Sequence, residues 1–148
     1  MTQILKNFLT GAKNKDFATT TGTQMHTLLQ RVIIDNDNAA TDSEIVQNIK
    51  NRPNLKPFFA KNAMTEVSIA GNVHDHFISR RIDRMLIDHT TKTIDFLDYK
   101  TDTDKVAFID KYKKQLQEYA ELLRSAHPNY KINGYILWLR DWDLEKII

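Results

Sequence analysis

The sequence predicts one α/β domain: a mixed sheet, begun as an antiparallel meander and flanked by helices. Apolar side chains keep helical spacing over residues 22–35, alternate between residues 64 and 100, and return to helical spacing over 108–126 before a closing apolar run at 130–139. Composition agrees, because 148 residues, 41% hydrophobic and 27% charged, can bury a core without cross-links. No internal repeat, low-complexity stretch or linker divides the chain, so residues 1–148 are read as a single domain with 1–21 as a flexible N-terminal segment.

The first helix, residues 22–35, is carried by Met25, Leu28, Leu29, Val32 and Ile33, with His26 in its opening turns. Thr41 and Glu44 form a capping-box pattern that opens a second helix, roughly 42–51, which stops before Pro53. Pro57 to Asn62 adds a short turn. Strands follow at 64–70, 74–88 and 93–100, separated by Ala70-Gly71-Asn72 and by His89-Thr90-Thr91-Lys92. A long helix over 108–126 presents Phe108, Tyr112, Leu116, Tyr119, Leu122 and Leu123 on its apolar side, ends at His127-Pro128-Asn129, and leads into a last strand at 130–139.

Several function classes drop out on composition. There is no cysteine, which excludes zinc ribbons, Cys-ligated iron–sulfur clusters and thiol nucleophiles, favours an intracellular setting, and leaves His, Asp and Glu to hold any metal. The N-terminus has no apolar run suited to a signal peptide or a membrane span, so a cytoplasmic location is expected with no membrane partner. Neither a glycine-rich phosphate loop nor a GxGxxG turn is present, so nothing suggests ATP or dinucleotide binding. A net charge of +2 permits a polyanionic partner without identifying one.

The informative stretch is RRIDRMLIDHTTKTIDFLDYKT, residues 80–101. A tight turn with Thr90 and Thr91 at its tip sets Ile87 against Ile94, Met85 against Phe96, Asp83 against Asp98 and Arg81 against Lys100, all on one face. That face runs from apolar at the turn to charged at the far end. Directly opposed residues of an antiparallel pair have Cα atoms about 4.5–5.5 Å apart, and two like charges there destabilise the sheet unless neutralised. A divalent cation would do so; Mg2+ takes one or two carboxylates, keeps waters and reaches for substrate phosphate. Lys100, two residues past Asp98, can aim an ammonium at the same place. An Asp-x-Lys at a strand end is commonly a solvated surface pair; the paired Asp83 and the apolar lead-in set this one apart.

Asp83 followed by Asp98-Tyr99-Lys100 resembles the PD-(D/E)XK nuclease signature, and the surrounding text resembles the nuclease domain of AddA/RecB-type helicase–nucleases, the AddA type nearest. The resemblance covers most of residues 22–148 and runs in order through His26 in MHTLLQ, Asp83 in RRIDR, Asp98 and Lys100 in DYKTD, Gln115 and Tyr119 in YKKQLQEYA, and the strand in GYILWL. It implies a restriction-endonuclease-like core and a Mg2+- or Mn2+-dependent deoxyribonuclease, an exonuclease working in DNA end processing and double-strand break repair. By the same resemblance His26, Asp83, Asp98 and the backbone carbonyl of Tyr99 would hold metal, and Asp83, Asp98 and Lys100 would be catalytic. Gln115 and Tyr119 would support the active site or the DNA strand. The implied partners are DNA with single-stranded or frayed ends, a helicase module, and an AddB-like subunit.

Ile82 and Arg80 depart from the family pattern, the former standing where the signature has proline and the latter where a glycine is often found; Arg80 is expected to crowd its strand. Lys105, Lys111, Lys113 and Lys114 gather near the start of the long helix, diluted by Asp102, Asp104 and Asp110. His74 and His76, taken to alternate on a strand, lack a third ligand. Glu66 is set aside as an auxiliary acid, because a turn at Gly71-Asn72 would place it opposite Phe77, about 20 Å along the strand from Asp83. The rival readings are a catalytically inactive nuclease-fold domain that binds DNA or scaffolds, and a Cas4-like or restriction-type nuclease.

Overall fold

The computed structural model describes residues 15–34 and 44–148. Thr41, residues 1–14 and the start of the expected second helix lie outside them. The first helix, α1 (Lys15–Leu29), starts and ends earlier than its apolar stripe predicts, so residues 15–21 belong to it. Helix α2 (Glu44–Lys50) and a 3-10 turn at Lys56–Phe59 follow. Five strands come next: β1 (Met64–Val73), β2 (His76–Asp88), β3 (Thr93–Lys100), then, after helix α3 (Lys105–Ala126), β4 (Lys131–Trp138) and β5 (Asp143–Lys146). They form one mixed sheet in the order β1-β2-β3-β4-β5. The β1-β2-β3 meander and the β4-β5 pair are antiparallel, while β3 and β4 are parallel across the α3 crossover. Strand β5 was not expected; its short polar run, DLEK, has no apolar alternation to announce it.

Helices cover both faces. Met25, Leu29, Ile49, Leu55 and Phe59 pack with Leu97, Tyr99 and Leu137 on one face. On the other, Tyr112, Leu116, Tyr119 and Leu123 of α3 pack with Met85, Ile94, Phe96, Ile136 and Trp138. No helix among the described residues is long and apolar enough to cross a membrane.

The β2–β3 register agrees with the sequence expectation from Asp88↔Thr93 through Arg84↔Leu97. The connection is wider than a two-residue turn: Asp88 Oδ1 accepts from Thr90 N–H (2.8 Å) and Thr91 N–H (3.1 Å), and Lys92 takes a left-handed φ of 52°. The expected turn at Gly71-Asn72 is corrected. Strand β1 runs on to Val73, which pairs with His76, and the chain reverses at His74 and Asp75 with φ of 49° and 63°. Gly71 instead makes room for α3, since a Cβ there would lie 3.0 Å from Leu122 Cδ2. His74 is therefore a turn residue and does not alternate with His76.

Helix α1 stops at Leu29 because a buried arginine gathers up its end. Arg84, 1% exposed, donates from Nη2 to the carbonyls of Leu29 (2.5 Å) and Val32 (2.8 Å). Its Nη1 donates to the Phe58 carbonyl (2.8 Å), its Nε to the Tyr99 hydroxyl (2.7 Å), and its guanidinium lies 4.0 Å from the Phe59 ring centre. The chain after α1 then turns toward the 3-10 segment, where Ile34 N–H meets the Phe59 carbonyl, and Ile33 is left 55% exposed. Arg84→Leu should lower stability by about 3 kcal/mol or more, because several buried acceptors lose their donors at once. Arg84→Lys should recover only part of this, since an ammonium lacks the planar fork. Urea unfolding measures both, and an unchanged midpoint for Arg84→Leu would contradict this role.

Candidate active site

The chemistry-bearing residues meet where the sheet becomes irregular. Pairing between β1 and β2 keeps one register on both sides of a gap at Glu66 and Asp83, and Glu66 has a left-handed φ of 53°. Side chains of β2 exchange faces there. Ile82 and Met85, three residues apart, both enter the core beneath α3, while Arg84 enters the core on the α1 side. The single face expected to carry Arg81, Asp83, Met85 and Ile87 is therefore broken at Asp83. Arg81 pairs with Glu66 (2.6 Å) rather than standing opposite Lys100.

Asp83 ends the β2–β3 ladder by taking over one of its bonds. The recorded pairing stops at Arg84↔Leu97, and beyond it the Asp83 Oδ2 accepts the Tyr99 N–H at 2.7 Å. A carboxylate thus stands where a strand carbonyl would be, and the expected Asp83–Asp98 rung is not formed. The Lys100 carbonyl accepts from Leu139 N–H on the opposite side of β3, so Tyr99 directs its own backbone groups toward Asp83.

His26 closes this corner from α1. Its Nδ1 lies 2.8 Å from the Gly22 carbonyl, which can only accept, so Nδ1 carries a proton. Its Nε2 lies 3.3 Å from Asp83 Oδ2. A bare lone pair facing a carboxylate is repulsive, so this nitrogen calls for a proton or a cation. Burial alone would lower the His26 pKa; the hydrogen bond and charge of Asp83, with the Gly22 bond and the charge of Asp98, outweigh it and hold the pKa raised.

Asp98 is 5% exposed, and burial pushes its carboxyl up to about 6, opposed by Lys100 and reinforced by the charge of Asp83. Lys100 Nζ forms an ion pair with the buried Asp98 Oδ2 at 2.5 Å. The ammonium also donates to Gln115 Oε1 (2.9 Å) and sits 4.2 Å from the Tyr112 ring centre. Gln115 Nε2 in turn donates to the Tyr119 hydroxyl at 2.7 Å. Gln115 and Tyr119 therefore position Lys100. Tyr119, 3% exposed, is also core beneath α3 and is too buried to lie along a strand of DNA.

These residues do not open onto one cavity, as the sequence led us to expect. Asp83 and His26 line a cleft of about 370 Å³ with Glu66, Arg81 and Gly22, while Lys100 and Gln115 line another of about 510 Å³ between β2 and α3. Asp98 lies buried between them. The change of faces at Asp83 separates the clefts, since it turns Arg81 toward α1 and Arg80 toward Glu118 of α3 (3.2 Å). Arg80, expected to crowd its strand, is an exposed residue whose side chain ends in that ion pair. Two residues were missed from the sequence. Glu66 stands opposite Asp83 rather than Phe77, and the signal that could have placed it, a turn at His74-Asp75, was masked by the stronger Gly71-Asn72 pair. Arg84 carried no local signal, because its partners are backbone carbonyls far along the chain.

Among the described residues no three His, Asp or Glu side chains converge as a ready-made metal cage. Mg2+ does not need one, since it binds through one or two carboxylates and keeps waters. Two features fit a cation: the His26 Nε2 facing Asp83, fixed by the donation of its other nitrogen to a carbonyl, and the buried Asp98 carboxylate, which feels the negative charge of Asp83. No family model matches the chain, and no curated protein matches it.

The electrostatics set a pH dependence. An unfolded Asp ionises near pH 3.9, whereas Asp98 in the folded chain holds its proton to about 6. Its contribution to stability is thus complete below about pH 4 and is lost as pH rises through 6. In EDTA, Asp98→Asn should match wild type near pH 4 and exceed it by on the order of 2 kcal/mol at pH 7. Added Mn2+ should narrow the gap by stabilising wild type alone. Denaturant unfolding at each pH measures this, and a difference that stays flat would show that Asp98 does not titrate in that window.

Proposed function

We propose that the chain is a metal-dependent deoxyribonuclease with a PD-(D/E)XK core, using Mg2+ or Mn2+ held by His26, Asp83, Asp98 and the Tyr99 carbonyl. The observation that carries this reading is the juxtaposition of two buried carboxylates and a tethered ammonium on one short length of β2 and β3 with an oriented imidazole brought in by α1. When bound, the metal would supply an activated water and neutralise charge on the scissile phosphate.

The protein groups have separate tasks. Gly22 fixes the His26 ring through Nδ1, and the Tyr99 N–H fixes the Asp83 carboxylate, so both are oriented before anything binds. Lys100 is held by Gln115 beside Asp98, where its ammonium can bear on the negative charge that builds on the phosphate oxygens or the leaving oxygen. In the hydrolysis a water oxygen forms the new P–O bond, the ester P–O bond breaks, and the departing oxygen takes a proton. By the family resemblance, the biological setting is end processing in double-strand break repair beside a helicase module and an AddB-like subunit.

Asp98→Ala should abolish cleavage and weaken Mn2+ binding in isothermal titration, and His26→Ala should weaken binding less completely. Lys100→Ala should keep Mn2+ affinity while turnover falls about 100-fold or more, because an ammonium donates but does not ligate. Wild-type protein with Mn2+ should degrade labelled single-stranded DNA faster than blunt duplex and without ATP. Folded protein that cleaves neither substrate in any divalent metal would favour the non-catalytic reading.

A further inference from the structure

The cleft on the Lys100 side has a charge pattern that the chemistry does not consume. It lies between β2 and α3 and brings together Arg80, Lys100, Lys111 and Lys114, with Tyr112 and Gln115. Arg80 is paired with Glu118, and Lys100 with Asp98 and Gln115. Lys111 and Lys114, one helical turn apart on α3, make no ion pair among the described residues. Three residues of spacing put them on the same side of the helix, whereas Lys113 points elsewhere and does not line the cleft. Lys105 is occupied by Asp141 (2.8 Å) and Asp143 (3.0 Å). The lysine cluster near the start of this helix therefore resolves into two lysines free to face the cleft and two that are not.

An aromatic surface adjoins these cations. Phe108, 38% exposed, stacks on Tyr112 one turn away, with ring centres 6.1 Å apart. Cations that can track a phosphate backbone beside an exposed ring are the combination by which single strands are held without base readout.

We propose that this cleft binds the phosphodiester backbone of a single polynucleotide strand through Lys111 and Lys114, with Phe108 offering a stacking surface at its side. The nuclease reading enters only in that the bound phosphates would flank the bond being cut; the binding itself stands without it. Arg80 is latched to Glu118 and adds its charge only where a phosphate displaces that carboxylate.

The test is fluorescence anisotropy of a labelled oligothymidylate in EDTA, where no cleavage competes. Lys111→Glu/Lys114→Glu should weaken binding at least about tenfold and reduce the slope of log affinity against log salt by about 1.4, that is about 0.7 per lost phosphate contact on a single strand. Both positions are exposed, so the fold should persist, as circular dichroism would verify. Lys113→Glu, with the same change of charge at an exposed neighbouring site, should cost less than about twofold. A blunt duplex of equal length should bind more weakly than the single strand, and Phe108→Ala should shrink that preference. Wild-type binding by the double variant, an equal loss in Lys113→Glu, or tighter binding of the duplex would each overturn the proposal. Mn2+ cleavage is scored separately. Its absence, with the binding pattern intact, counts against the nuclease reading alone, whereas cleavage beside unaltered binding counts against this cleft alone.

Discussion

A guanidinium buried among carbonyls joins the two parts of this molecule. Arg84 reaches from β2 to the end of α1, the 3-10 turn and the Tyr99 hydroxyl at once, so the helix bearing His26 is referenced directly to the strands bearing Asp83 and Asp98. A charge so deeply placed is costly unless nearly all its donors are satisfied. Here the acceptors are the Leu29, Val32 and Phe58 carbonyls and the Tyr99 hydroxyl, so one residue ties separate segments together. Among the described residues no carboxylate pairs with it, and Asp83 and Asp98 meet other groups instead.

The site itself is held in electrostatic tension. Two carboxylates lie near each other with little water around them, and the groups that offset them, His26 and Lys100, approach from opposite faces of the sheet. Each of these groups is also tied to a neutral partner, His26 to the Gly22 carbonyl and Lys100 to Gln115. Their positions therefore depend on fixed backbone and side-chain bonds more than on the carboxylates they face. That is the condition for a preorganised site, in which charge can change during a reaction without the surrounding groups having to move.

The irregularity at Asp83 gives this arrangement its shape. Had β2 kept the alternation of Met85 and Ile87, Asp83 and Arg81 would share the α3-side face with Lys100, and Ile82 would lie on the α1 side. The missing rung at Glu66, with its left-handed backbone, lets consecutive residues of β2 serve opposite layers: Ile82 beneath α3, Asp83 at the His26 corner, Arg84 beneath α1. Strained positions in strands tend to gather where side chains are re-aimed for function.

Much of this was legible in the residues alone. The helix and strand periods, the Asp88↔Thr93 to Arg84↔Leu97 register and the mixed sheet follow from local alternation and turn chemistry, which depend on near neighbours in the chain. That register brings Asp83 close to Asp98 but does not foresee that their rung is missing or that Asp83 and Lys100 line different clefts; Gln115 and Tyr119 are singled out by the family resemblance, and their spacing puts both on one helical face. Tertiary structure alone decided the rest. The reversal at His74-Asp75 prevailed over Gly71-Asn72 because α3 needs the space a glycine leaves, a demand set by a helix distant in sequence. The end of α1, the buried Arg84, the approach of Glu66 to Asp83 and the division of the site into two clefts likewise arise from contacts between segments far apart in the chain. A sequence pattern records which face a residue prefers; which carbonyl or carboxylate meets it there is settled only when those segments pack.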